Sequence, residues 1–251
     1  MNTCKVAVVT GASSGLGKSL CLMLAKNGIK VYAVARTRTK LLELNEQFAN
    51  IEAINEDLSS VIGRKNVLKA IDSEKQIDYL IHCAAVVEPL IPITLIKETD
   101  WQKTIALNVE APLFLTQDLL PKFEASKVLF VTSEPNIHPV QGASVYCISK
   151  SAINMVYQSF KNEIPPNKAL FGLVSPGLID TPMQKKIRAT DKSILPSVEV
   201  LIQLHNSGQL NQPDRSAKFL FWLLTEVEGE AFSSQCWDIY DETTRCQWDL
   251  R

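Results

Sequence analysis

Strands alternating with helices along 251 residues predict an α/β fold: a doubly wound parallel sheet of about seven strands, helices on both faces, in a single domain. Three observations carry this expectation. The chain opens on an apolar strand that breaks into a glycine turn and then a helix; β-branched apolar runs recur between amphipathic stretches; and no linker-like segment interrupts the pattern.

The opening stretch, residues 5–17, reads KVAVVTGASSGLG. Val6, Ala7, Val8 and Val9 suit a strand buried on both faces, and the helix behind them carries Leu16, Leu20, Met23 and Leu24 on one side. Between them Gly11 permits the turn, and Gly15 and Gly17 let phosphates approach the unpaired amides of a helix N-terminus. A glycine turn alone also describes a plain strand-to-helix connection. A second strand over 30–35 ends in Arg36, followed by Thr37 and a helix with Leu41, Leu42, Leu44 and Phe48. Dinucleotide folds place an acidic residue there for a ribose 2′-hydroxyl; a basic one suits a 2′-phosphate, so Arg36 favours NADP(H) unless it is merely a solvated strand end. A short third strand, 51–54, leads to Asp57 and Leu58, which fit either an adenine contact or the cap of a helix starting near Ser59.

A fourth strand over 79–83 runs into Ala84, Ala85 and an apolar loop to Ile93. The next helical pattern, 98–123, holds Asn108 among apolar neighbours, an ordinary core amide on its own, and Pro112 and Pro121 should bend or end it. The fifth strand, 127–132, ends at Ser133. After a loop, a helix over 144–163 begins with Tyr146 and Lys150, four residues apart and so on one face. A sixth strand, 169–174, turns at 175–183 into a polar, proline-interrupted stretch read as a lid over 182–211. A helix over 213–224 and a last strand near 235–239 close the sheet.

Bulk properties bound the function. The 27 acidic and 26 basic residues nearly cancel, which gives no sign of a nucleic-acid or anionic-membrane partner. Six cysteines without a Cys-x-x-Cys pair and three scattered histidines argue against a metal. The expected setting is cytoplasmic with reduced thiols, since no charged-then-apolar leader and no long apolar run is evident.

With TGASSGLG and the Tyr146/Lys150 pair in view, the chain resembles the short-chain dehydrogenase/reductase family over nearly its whole length. The resemblance implies a Rossmann fold and places Asn108, Ser133, Tyr146 and Lys150 at the family's catalytic tetrad, with the usual thirteen positions from Ser133 to Tyr146. It assigns cofactor contact to Gly11, Ser13, Ser14, Gly15, Leu16 and Gly17; to Arg36, Asp57 and Leu58; to Cys83, Ala84 and Ala85; to Tyr146 and Lys150; and to Pro176, Gly177, Ile179 and Thr181. Two departures stand out: His82-Cys83-Ala84-Ala85 replaces Asn-Asn-Ala-Gly, and WDIYDETTR replaces a glycine pair near the carboxyl end. That tail is similar to the sepiapterin reductase and benzil reductase branch.

The implied reaction is NADPH-dependent reduction of a small ketone or diketone, with Tyr146 as proton donor. A neighbouring ammonium and the oxidised nicotinamide's charge would favour its phenolate. Lys150 would hold the nicotinamide ribose, Ser133 the substrate oxygen, and Asn108 a water leading to solvent. Alcohol oxidation by the same site, and a cofactor-binding sensor or scaffold without turnover, are the alternatives. Wider tyrosine–lysine spacing in enoyl reductases disfavours enoyl reduction. Val86, Glu134, Gln141, Met183 and Ile187 are candidate pocket walls, and the family's habit of pairing through its long central helices implies a homo-oligomer, dimer or tetramer.

Overall fold

The computed structural model describes residues 4–133 and 138–249. Seven parallel strands form one sheet in the order β3-β2-β1-β4-β5-β6-β7. The strands are β1 (Val6–Thr10), β2 (Lys30–Ala35), β3 (Ile51–Asn55), β4 (Tyr79–His82), β5 (Ser126–Val131), β6 (Ala169–Ser175) and β7 (Cys236–Asp238). From β1 the order runs outward through β2 to β3, and from β4 it runs the opposite way. The gap between the carboxyl ends of β1 and β4 is therefore the topological switch point, where open α/β sheets bind ligands.

Helices cover both faces. On one side α1 (Gly15–Lys26), α2 (Arg38–Gln47) and α9 (Pro213–Thr225) pack over Ala7, Val9 and Ile81. On the other, α5 (Ala111–Leu119) and α6 (Ser144–Glu163) cover Val6, Val8 and Leu80, with Val67 of α3 (Val61–Ala70) beside them. Alternate residues of β1 thus feed different cores, the physical reason for its unbroken apolar run.

The helical pattern over 98–123 divides. It forms α4 (Glu98–Ile105), a wider π turn (Ala106–Glu110) containing Asn108, then α5 and a short 3₁₀ turn (Leu120–Lys122). Pro112 has no N–H to give the carbonyl of Asn108 four residues back, and the register widens beside that lost bond. The segment 182–211, expected from the sequence to be a lid, holds two helices, α7 (Pro182–Arg188) and α8 (Val198–Asn206), and the chain carries a further helix after β7, α10 (Glu242–Trp248), which the sequence pattern leaves unassigned. Trp248 of α10 is buried against Phe219, their ring centroids 4.9 Å apart.

Candidate active site

A cavity of about 570 Å³ opens along the carboxyl edge of the sheet, from the β2 end across the switch point to α7 and α8. Its size is that of a small-molecule site. The turn after β1 forms one wall. A Cβ on Gly11, whose φ is 69°, would stand 2.8 Å from the backbone nitrogen of Ala84, and one on Gly17 would stand 2.5 Å from the Gly11 carbonyl oxygen. Neither position admits a side chain. Ser14 precedes α1 without a side-chain hydrogen bond to it, and the first turn of α1 has no acidic residue. Unopposed amides and the positive end of the helix dipole thus meet at a cradle shaped for phosphate groups.

Most residues assigned from the sequence line this one cavity: Gly11, Ser13, Ser14, Gly15, Leu16, Gly17, Arg36, Leu58, Cys83, Ala84, Ala85, Ser133, Tyr146, Lys150, Pro176, Gly177, Ile179 and Thr181. Asp57 and Asn108 stand behind the wall. Asp57 Oδ1 accepts from the backbone and hydroxyl of Ser59 (3.0 and 2.7 Å), while Oδ2 lies 4.0 Å from Arg36 Nη1. It therefore shapes the turn before α3 and faces the guanidinium. Ser60 is the residue that caps α3, accepting from Gly63 N at 2.9 Å. Thr37, which no sequence motif singles out, lines the cavity beside Arg36 with a hydroxyl unused in capping α2.

Asn108 is buried, both hydrogens of its carboxamide are used, and its oxygen accepts one bond. Oδ1 accepts from Val86 N (2.9 Å), and Nδ2 donates to Val86 O (2.8 Å) and Ser149 Oγ (3.0 Å). Ser149 Oγ in turn donates to the carbonyl of Tyr146 at 2.8 Å. This chain of bonds ties the loop after β4 to the first turns of α6.

Lys150 is buried and donates to the carbonyl of Val131 at 2.9 Å, with its ammonium 5.5 Å from the centre of the Tyr146 ring. Burial pushes the lysine down to about 8, the neighbouring Cys83 thiol acting the other way. Burial pushes the Tyr146 phenol up to about 12, opposed by a hydrogen bond from Ser133. The sequence reading expects phenolate to be favoured; among the protein's own groups, desolvation outweighs the hydrogen bond and holds the phenol protonated.

The two departures from the family pattern acquire physical replacements. Where an asparagine would join the central strands, Thr10 Oγ1 accepts from Ala84 N at 3.1 Å and donates to Ile81 O at 3.3 Å. His82 pairs with Thr116 Oγ1 at 2.9 Å and stacks on Phe130; burial lowers it to about 3, so it is neutral. Cys83, pushed up to about 12 by burial, is a neutral thiol at the cavity wall. In the tail, Tyr240 Oη accepts from Leu178 N at 3.0 Å and lies 3.2 Å from Asn211 Nδ2, holding the loop after β6 from 62 residues away.

The far end of the cavity is apolar: Val87, Leu90, Val140, Ala143, Met183, Ile187, Leu195 and Leu201. Met183 and Ile187 are where the sequence puts pocket walls, but Val86 and Gln141 do not line the cavity; Val86 is drawn back by Asn108, and Val87 takes its place. Glu134 lies outside the described residues. Among the described residues no cluster could hold a metal ion, and no helix is long and apolar enough to cross a membrane.

A family model described as short chain dehydrogenase matches residues 5–192. The benzil reductase ((S)-benzoin forming) of Bacillus subtilis is 31% identical over 232 residues, spanning 86% of this chain and 92% of that protein. The enzyme of the same name from Bacillus cereus is 28% identical over 237 residues, covering 89% and 95%. Among solved structures, YIR035C, a short-chain dehydrogenase/reductase from Saccharomyces cerevisiae, superposes with a TM-score of 0.88 at 26% identity over 97% of this chain and 99% of that one. The KRED1-Pglu enzyme gives 0.83 at 27% identity, covering 91% and 98%.

Proposed function

Since the chain belongs to the short-chain dehydrogenase/reductase family and is an oxidoreductase, we propose that it reduces a ketone or diketone to the alcohol with NADPH, Tyr146 supplying the proton. The observation that carries this reading is the meeting of the glycine cradle, Arg36, Ser133, Tyr146 and Lys150 in one cavity whose far end is apolar. The named activity of the two Bacillus relatives supports the substrate class.

NADPH, when bound, supplies the hydride. The residues present fit its parts: the amides at α1 suit the pyrophosphate, Arg36 with Thr37 the 2′-phosphate, and the loop around Gly177, Ile179 and Thr181 the nicotinamide end. Ser133 orients the carbonyl oxygen by hydrogen bonding, and the Tyr146 hydroxyl donates its proton to that oxygen as charge develops there. Lys150, fixed by Val131 O, keeps a positive charge beside the phenol, easing release of the proton, and offers its remaining N–H groups to the ribose. Both amide hydrogens of Asn108 are already committed. A water on the route to solvent would therefore be held by its oxygen or by the main-chain carbonyl that Pro112 leaves without an α-helical donor.

The segment 182–211 acts as the lid. Pairing of two copies through the central helices is supported by exposed Trp101, Phe114, Ile148 and Met155, and free cysteines suit a reducing cytoplasm.

The decisive experiment is Tyr146→Phe. NADPH affinity should persist while turnover of a diketone falls by about a hundred- to ten-thousandfold, the usual share of a positioned proton donor. Undiminished turnover would remove Tyr146 from the mechanism. For the cofactor, Arg36→Asp should raise the KM for NADPH by at least about tenfold and leave NADH nearly unchanged, as loss of a charge-assisted phosphate contact requires. An unaltered preference would exclude Arg36 as its source.

A further inference from the structure

The lid offers the cavity no charged side chain, yet it buries one amide there. Gln184 lies on α7 among Met183, Ile187 and Leu195, lines the cavity, and is only 4% exposed. Its Oε1 accepts from Arg188 Nη1 at 3.0 Å. A guanidinium can only donate, so the carboxamide must turn its oxygen to Arg188, and that fixes which end is left over. The Nε2 amide has no hydrogen-bond partner among the described residues. Arg188 is itself anchored, with Nη2 3.1 Å from Asp180 Oδ1 and a side chain 12% exposed. His205 approaches the same carboxylate at 3.5 Å, and Asp180 N donates to Asn211 O at 2.9 Å. The orientation of Gln184 is therefore set by the packing of the whole lid.

We propose that Gln184 is a specificity-determining residue that selects dicarbonyl substrates: Nε2 donates to the second carbonyl oxygen while the first sits at Ser133 and Tyr146. The assignment rests on the ketone-reducing reading above and deepens it. A substrate that fills this apolar end displaces the solvent that can reach Nε2 in the open cavity, and the donor then stays paired only if the substrate brings an acceptor to it. A monoketone with a methylene at that place leaves the amide unpaired, and sites built around a hydrogen bond reject analogues that lack the partner. Arg188 is a positioning residue, acting through the carboxamide.

Benzil and deoxybenzoin share one skeleton and differ by a second carbonyl against a methylene. Gln184→Glu keeps an oxygen toward Arg188 and removes the donor, and Gln184→Leu removes both. Each variant should lose about tenfold in kcat/KM on benzil, mainly through KM, while deoxybenzoin changes by less than about threefold. Calorimetric affinity of the enzyme–NADP complex for benzil should weaken by the same factor, and the fluorescence-titrated NADPH affinity should stay at the wild-type value, which also certifies the fold. Arg188→Met should shift benzil in the same direction, with little added loss when combined with Gln184→Leu. Equal losses on both ketones, unaltered benzil affinity, or a weakened NADPH affinity with benzil selectivity intact would overturn the assignment of Gln184. Failure of the wild-type enzyme to reduce either ketone would instead overturn the ketone-reducing reading beneath it.

Discussion

Lys150 shows how much a single side chain depends on its surroundings. On an exposed helix it would be an ordinary ammonium; here it lies buried beneath the Tyr146 ring, with Val131 O as its hydrogen-bond partner, and burial brings it down to about 8. The sign of the pH dependence follows. The phenol, pushed up to about 12, stays protonated through the working range, so the alkaline limb belongs to the lysine. The kcat/KM for NADPH, which reports the cofactor-free enzyme, should be level near neutrality and fall above about pH 8 as the ammonium loses its proton. A profile level to pH 10 would show that the charge of Lys150 is not required. Arg36 is a contrasting residue. Its side chain is 59% exposed and meets Asp57 only at 4.0 Å, a geometry worth little to stability, which leaves the guanidinium available to a ligand phosphate.

At the scale of elements, helix α9 depends on a contact made far along the chain. α9 ends where Lys127 of β5 reaches the chain leaving it: Nζ donates to Leu224 O in the last turn and to Val227 O beyond the cap, both at 2.7 Å, and lies 3.5 Å from Leu223 O, over the Phe232 ring. Two carbonyls of the last helical turn and one just beyond it are met by one ammonium. Lys127→Met should cost about 2 to 3 kcal/mol, because it leaves buried carbonyls unmet, and should lower Tm by roughly 5 °C in a chain of this size. NADPH affinity should be unaffected, since no residue of α9 lines the cavity. An unchanged Tm in a thermal scan would show that solvent replaces the lysine at no cost. The π turn over Ala106–Glu110 is also an element-scale event. Sequence periodicity reads one bent helix there, because a register change of one hydrogen bond leaves the apolar pattern nearly intact.

Over the whole molecule, the sheet order brings together residues from distant parts of the chain. The loop after β1 meets the loop after β4 because the two strands are neighbours, and the tail reaches the β6–α7 loop because β7 is the outer partner of β6. The sequence by itself determined the alternation of strands and helices, the glycine turn and the Tyr146/Lys150 pair, since each depends on local spacing that a helix or a tight turn enforces directly, while Ser133 joins that pair only through the family resemblance. Only the tertiary structure decided that Asp57 shapes the turn at Ser59, that Asn108 is spent on Val86 and Ser149, that Tyr240 holds the loop after β6, and that Gln184 gives its oxygen to Arg188. Those roles are fixed by which hydrogen-bonding groups burial leaves satisfied, and a partner many residues away has no signature in the local pattern.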